Sequence, residues 1–320
     1  MAVRIDECVA SGRDSDVSSL SVSDFEGTVV VIILRTKTKI ALARAAQRVV
    51  MGGRRVIGRG PIAFCRRGGL RWKLDLSEGI DFSIFLLGGF ERKMSAAYRR
   101  MIDAGAIVID IGANIGAHTM PLATQVGPTG RVVAVEPTRY AFERLRTHIN
   151  LNPTLTARIL PLQAMLMGSR KAALAESVAS SWPLDTPSGA HAGHAGVAKA
   201  TTGAVVRTLD DLVSELDLKS VDFVKLDVDG YEVEVLRGAR DTLRRFAPVI
   251  FFEHSPYGVA EKGYNSDEIG EILTAAGYSF ADLKRRSLPS GRYKLPEVKT
   301  GAGVNLMALP EARYQDLLRA

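Results

Sequence analysis

From about residue 104 onward, apolar and polar positions alternate with a regular rhythm. Apolar runs bounded by Gly, Pro or Asp occupy 106–111, 131–135, 158–162, 222–227 and 248–252. Between most of them lie segments with apolar residues at helical spacing: 115–125, 138–150, 208–216 and 231–245. Short buried runs separated by helices predict a parallel sheet covered on both faces. A helix over 266–276, a short strand over 278–283 and a last strand near 303–309 complete an α/β doubly wound plan. Residues 176–204 break the rhythm and, with S-S-W-P-L-D-T-P-S-G-A-H-A-G-H-A-G at their centre, predict a long loop. Loops of that length inside compact α/β domains are uncommon and often functional.

Upstream the pattern is weaker. The first 27 residues are rich in Ser, Asp and Glu without apolar periodicity, which predicts a disordered leader and lacks the charged-then-apolar order of a signal peptide. The apolar run 29–34 is far short of the roughly 20 residues that span a bilayer. Residues 37–51 predict a helix, with Lys37, Arg44, Arg48 and Arg55 near one face and Ile40, Ala43 and Val50 near another. Such a helix is either a solvated basic flank or a surface for anionic lipid or an acidic partner. A natural start downstream, for example at Met51, is an alternative for this region.

With 46% hydrophobic and 24% charged residues, the 320-residue chain has a globular composition. Wholesale disorder, collagen and coiled coil are excluded. Two cysteines, Cys8 and Cys65, are too few for a disulfide framework or a cysteine zinc site, so a reducing, cytoplasmic setting is expected. The formal charge of +7 is uneven: residues 28–74 hold 12 Lys and Arg and no acid, leaving 30 basic against 35 acidic residues elsewhere. Residues 28–74 therefore form a basic N-terminal arm, for which peripheral contact with an anionic membrane is a further expectation.

The strongest local motif is V-I-D-I-G-A-N-I-G-A-H-T, residues 108–119. A strand runs through Asp110 into a turn carrying Gly112, Asn114 and Gly116, and a helix follows. Glycines there let backbone approach a ligand or let the helix pack on the strand. Twenty residues beyond Gly116, the strand R-V-V-A-V ends at Glu136, placed to accept hydrogen bonds from the ribose hydroxyls of a nucleoside. A dinucleotide site prefers G-x-G-x-x-G. Here Asn114 replaces the middle glycine, and the Asp110 carboxylate would repel a pyrophosphate. The same carboxylate suits the cationic S-adenosyl-L-methionine, which is the expected cofactor, held by Asp110, Gly112, Asn114, Gly116, Glu136 and Asp227.

A second constellation follows: T-L-D-D-L at 208–212, then V-D-F-V-K-L-D-V-D-G-Y-E-V-E-V-L-R-G-A at 221–239, then A-P-V-I-F-F-E-H ending at His254. It delivers Asp227, Asp229, Glu253 and His254 to the carboxyl edge of the sheet, where ligands of open α/β sheets bind. Together D-I-G-A-N-I-G-A-H-T, A-V-E-P, T-L-D-D, K-L-D-V-D-G-Y-E-V-E-V-L-R-G-A and P-V-I-F-F-E resemble the FkbM family of S-adenosylmethionine-dependent methyltransferases. The similarity covers about residues 75–285, and the upstream words L-D-L-S-E-G-I-D-F and G-G-F-E also resemble the segment before the domain in part of that family. The family commonly has Glu where this chain has Asp229.

The resemblance implies a class I, Rossmann-like fold: a seven-stranded, mostly parallel sheet with one antiparallel edge strand and helices on both faces. The methyltransferase domain is expected at 75–320, with a core of about 104–309. The resemblance also implies O-methylation, with sugar or polyketide-type hydroxyls as frequent acceptors, so the expected partner is a hydroxyl on a small molecule, glycolipid or glycan. An attacking alcohol must lose its proton, and the candidate acceptors are Asp227, Glu253, His254 and His118.

Asp227 with Asp229 as a Mg²⁺ site is an alternative that lacks an evident third ligand, so no metal is expected. His191 and His194 are expected to be exposed loop residues. Nucleic acid is not expected as acceptor: the Asp/Asn/Ser-Pro-Pro-aromatic pattern is missing, and both cysteines precede the domain. A non-catalytic protein of this fold, binding an anionic partner through its arm, is the competing class. Residues 176–204 and the segment Asp81–Arg92 are expected to wall the acceptor site.

Overall fold

The computed structural model describes residues 36–184, 196–288, 295–296, 298 and 303–319. The leader 1–27, Cys8, His191 and His194 lie outside the described residues. After α1 (Thr36–Val56), a hairpin of β1 (Ile62–Arg67) and β2 (Leu70–Asp75) leads into α2 (Gly79–Leu87) and α3 (Arg92–Tyr98). The alternating part runs through β3 (Ile107–Ile111), α4 (Thr119–Gln125), β4 (Arg131–Val135), α5 (Arg139–Leu151), the single turn α6 (Pro153–Thr156) and β5 (Ile159–Leu162). Four short strands follow: β6 (Ala164–Leu166), β7 (Ser177–Ser181), β8 (Val197–Ala200) and β9 (Val205–Arg207). The chain then returns through α7 (Leu209–Glu215), β10 (Phe223–Leu226), α8 (Glu232–Arg237), α9 (Arg240–Phe246) and β11 (Val249–His254). It finishes with α10 (Pro256–Glu261), α11 (Asp267–Ala275), β12 (Tyr278–Asp282), β13 (Val304–Pro310) and α12 (Tyr314–Arg319).

The main sheet has seven strands in the order β12-β13-β11-β10-β3-β4-β5. β10, β11, β3, β4 and β5 pair in parallel, while β13 pairs antiparallel with both β11 and the outermost β12. One apolar cluster, including Val108, Ala134, Phe223 and Phe251, packs on one face beneath α1, the β1–β2 hairpin and α5. A second, including Ile109, Val133, Leu226 and Phe252, packs on the other face beneath α7, α8, α9 and α11. This is the expected class I, Rossmann-like architecture. Trp72 and Leu74, at the end of the basic segment, are buried in the first cluster.

Two stretches depart from the pattern-based expectation. The helix over 231–245 is interrupted between α8 and α9 at Gly238 and Ala239. There the chain presses on its neighbours, and a Cβ on Gly238 would stand 2.3 Å from the Met167 carbonyl. The expected loop 176–204 carries an antiparallel hairpin, β7 with β8, in its described flanks. Among the described residues, no helix is long and apolar enough to cross a membrane.

Candidate active site

Side-chain alternation decides what reaches the carboxyl edge. Successive residues of a strand face opposite sides of a sheet. In register, Lys225 stands opposite both Asp110 and Phe251. Asp110, Lys225, Asp227 and Glu253 therefore share the face that carries Phe223 and Phe251. His254 has the opposite parity and joins the face of Ile250 and Phe252. It is buried, its ring is held by the Pro296 backbone, and it does not line the cavity at the edge. The strand pleat thus turns His254 into the other layer, away from the cavity that holds Asp227 and Glu253.

That cavity measures about 820 Å³, within the range of small-molecule sites. Its floor is the turn after β3. Gly112 has φ +78°, and a Cβ there would sit 1.8 Å from the Asp227 carbonyl oxygen. The backbone N–H groups of Gly112 and Ala113 both donate to the Val135 carbonyl, fastening the turn to β4. Glu136 is buried beside it and accepts from the Asn114 N–H at 2.9 Å and from the N–H and hydroxyl of Thr138 at 2.9 and 2.5 Å. Burial raises the Glu136 pKa, against the pull of these hydrogen bonds.

Gly112, Asn114, Glu136 and Asp227 line the cavity, whereas Asp110 and Gly116 do not. Asp110 lies beneath the turn, fully buried, where Oδ2 accepts from the Thr119 hydroxyl at 2.6 Å and Oδ1 has no hydrogen-bond partner. Gly116 (φ +89°) serves packing instead: a Cβ there would meet the Leu145 side chain of α5 at 2.8 Å.

Lys225 went unremarked in the sequence. It is the one charged residue within the buried strand Phe223–Leu226, and that placement was the available signal. Its Nζ donates to the Gly112 carbonyl at 3.0 Å and sits 3.2 Å from Asp227 Oδ2 and 3.7 Å from Asp110 Oδ1. Burial works against its charge, but Asp227, Asp110 and Glu91 outweigh it and raise its pKa. Lys225 therefore binds the cofactor-type turn to the acid at the tip of the neighbouring strand.

Glu91 is the other missed residue, from the word G-G-F-E. It adopts φ +41° at the start of α3, lines the cavity, accepts from Asn305 Nδ2 at 2.8 Å and meets His118 Nε2 at 3.2 Å. Burial alone would raise its pKa, yet His118 and Asn305 bring it below the usual value. His118 lines the cavity as Glu91's partner, with Nδ1 buried and unpartnered.

The far side of the cavity is acidic. Burial raises the Glu253 pKa well above the ordinary carboxylate value, and Asp227, Asp229, Glu232 and Glu91 add to the effect. Asp229 is raised for the same two reasons, burial and then Asp227. Among the described residues, no group of three His, Cys, Asp or Glu is disposed to hold a metal ion.

The walls come from both expected segments. From Asp81–Arg92, Phe90 and Glu91 contribute, joined by Gly79 and Ile80 just before that segment, while Asp81 is instead buried against Arg144, its pKa raised by burial to about 6. From the hairpin, Ser177, Val178 and Ala179 line the cavity. The Ser180 carbonyl accepts from Asn114 Nδ2 at 3.2 Å, and its hydroxyl lies 2.7 Å from that of Thr138, so β7 is latched over the glycine turn.

Glu232 supports the turn from below. Its Oε1 accepts from the Val228 N–H at 3.0 Å, its Oε2 has no partner, and burial raises its pKa to about 7. A carboxyl raised in the fold favours the neutral form. Its contribution to stability is full below the ordinary value and is lost as pH rises through 7. Glu232→Gln keeps the acceptor and removes the charge. It is expected to match the parent in urea unfolding at about pH 4 and exceed it by about 3 kcal/mol at about pH 8. Equal stability at both pH values would contradict this account.

The model for the Methyltransferase FkbM domain matches residues 110–280, just over half of the chain. A curated relative, the hexuronic acid methyltransferase AglP of Haloferax volcanii, is 27% identical over 176 residues. That match covers 54% of this chain and 63% of the relative, less than two thirds of its length. Among solved structures, methyltransferase FkbM from Methylobacillus flagellatus KT aligns at 18% identity and a TM-score of 0.38, over 64% of this chain and 44% of that one. TYW2 of M. jannaschii, solved in complex with AdoMet, aligns at 16% identity and a TM-score of 0.39, over 78% and 86%.

Proposed function

Since the chain belongs to the FkbM methyltransferase family, we propose that it moves the methyl group of S-adenosyl-L-methionine to a hydroxyl oxygen of a sugar, glycolipid or secondary metabolite. The observation that carries this is the pairing of a glycine turn roofed by β7 with a carboxylate of raised pKa across the same cavity. The residues present fit the cofactor. Gly112 and Asn114 line the cavity at the turn, and Glu136 and Asp227 bring carboxylates to the same cavity for the ribose hydroxyls and the cationic end of the cofactor.

The bound cofactor supplies a methyl group on a sulfonium, already activated toward an attacking oxygen. The chain supplies orientation and a proton acceptor. Asp227 is tied to Lys225 and serves positioning. Glu253 makes no hydrogen bond to a described side chain and is the better base, since its raised pKa makes its carboxylate a stronger proton acceptor. Bound there, the cofactor would supply the methyl group, and Glu253 would accept the proton that the acceptor hydroxyl gives up as its oxygen is methylated. The relative named for a hexuronic acid supports a sugar as acceptor.

The test begins with calorimetry. The wild-type chain is expected to bind S-adenosyl-L-methionine, and Glu136→Ala to bind it about 100-fold more weakly, the worth of hydrogen bonds to one charged group. Labelled cofactor incubated with glycans and hydroxylated metabolites then identifies the acceptor. A wild-type chain that binds no cofactor would overturn the proposal.

A further inference from the structure

The described residues expose ten large apolar side chains, and eight of them fall between Leu42 and Leu87. Their arrangement follows the local structure. Helix α1 buries Ala43, Val50 and Met51 against the core, with Gln47 donating to the Leu76 carbonyl. Its opposite side shows Leu42, Ala45, Val49 and Val56, spaced as a second helical stripe, with Val49 77% and Val56 87% exposed. An α-helix at the edge of a domain ordinarily has one apolar stripe, facing the core. This helix has two, and one has no apolar partner among the described residues.

The stripe continues onto the hairpin. Arg54 donates to the Gly60 and Ile62 carbonyls at 2.9 and 2.7 Å, joining the Val56 end of α1 to the Ile62 end of β1. Alternation then turns Ala63 inward and Ile62, Phe64 and Arg66 outward, with Phe64 69% exposed. In register across the hairpin, Phe64 stands opposite Lys73 and Arg66 opposite Arg71. Lys73 Nζ lies over the Phe64 ring, 5.9 Å from its centre. Arg48, Arg55, Arg71 and Lys73 form no salt bridge with a described residue. No acid occurs anywhere from residue 28 to 74.

We propose that this face, the outer side of α1 continued by the outer side of the β1–β2 hairpin, docks the chain on an anionic lipid surface. The chemistry selects that occupant. A second copy of the chain would set like charge against like charge across the same arginines. A nucleic acid would satisfy the cations but leave the Val49, Val56 and Leu42 aliphatic groups against sugar and phosphate. A lipid interface meets both needs, taking apolar side chains into the acyl boundary and arginines at the headgroups. The proposal is independent of the methyl-transfer reading, because the face lies outside the cavity.

The experiment is cosedimentation of the full chain with vesicles of phosphatidylcholine, with and without phosphatidylglycerol, over a range of salt. Binding is expected only to the anionic vesicles and is expected to weaken as salt rises. The double variant Val49→Ser/Phe64→Ser should reduce the partition coefficient at least about tenfold, as should Arg48→Glu/Lys73→Glu, because each removes one of the two attractions. All of these side chains are exposed, so circular dichroism and cofactor binding should remain those of the parent. Three results would overturn the proposal: no binding to anionic vesicles, binding unchanged in both variants, or retention on RNA in place of vesicles. A change of oligomeric state in Val49→Ser/Phe64→Ser without loss of vesicle binding would reassign the face to a second copy.

Discussion

Gly112→Ala is expected to abolish S-adenosyl-L-methionine binding and to lower the unfolding free energy by at least about 3 kcal/mol. Two effects combine. The position has φ +78°, a region that alanine enters only with strain. The added methyl would also lie 1.8 Å from the Asp227 carbonyl oxygen and 2.9 Å from its carbon, so backbone rather than a flexible side chain would have to move. Displacing that backbone shifts Asp227 itself, and Lys225 is bonded to the carbonyl of Gly112, so the disturbance reaches the acid cluster directly.

Gly263 separates the two effects. It has φ +83°, and a Cβ there would meet nothing within 4 Å. Gly263→Ala therefore carries the strain without the collision and should cost about 1 kcal/mol, leaving cofactor binding intact. Urea titration and calorimetry on both variants check the pair. Equal losses in the two would show that the Gly112 contact with Asp227 carries no weight.

Glu253→Gln is expected to lower kcat by about a hundredfold or more, the scale on which a positioned general base contributes, with cofactor affinity changed only a few-fold. The variant should fold, because replacing a buried carboxylate among Asp227, Asp229 and Glu232 removes repulsion. The pH dependence carries the sign. The base acts when deprotonated, so the kcat of the parent should rise with pH through an inflection above the ordinary carboxylate range, since burial and the neighbouring acids raise that group. Glu253→Gln should lose this limb. His254→Asn, one residue along the strand but on the other face of the sheet, should stay within about twofold of the parent at every pH. Full turnover in Glu253→Gln would remove Glu253 as the base.

The contrast between Glu253 and His254 shows how far the sequence could be read. Both stood at the end of a buried strand and both have suitable chemistry. Once β10 is aligned so that Lys225 faces Asp110, the pleat leaves only one of them at the cavity. Gly112 and Gly116 were equally prominent in the motif, yet one meets the neighbouring strand's backbone and the other meets a leucine of α5. Residues 176–204 suggested only a loop, because the pairing of β7 with β8 and the latch on Asn114 are long-range contacts between small polar residues without a strong local pattern.

By itself the sequence determined the doubly wound architecture, the glycine turn, the acid at the tip of the second strand and the basic segment. Each of these is a local regularity, a period of two or 3.6, a glycine at a turn, or a run of one charge, and local regularities survive in a linear string. The tertiary structure decided the rest: that Lys225 ties Gly112 to Asp227, that Glu91 enters the cavity held by Asn305, that His254 turns away, and that one apolar stripe of α1 is left exposed among the described residues. Those are relations between residues far apart in the chain. They are set by cross-strand register and by which helix covers which face, and neither is written in the spacing of any one segment.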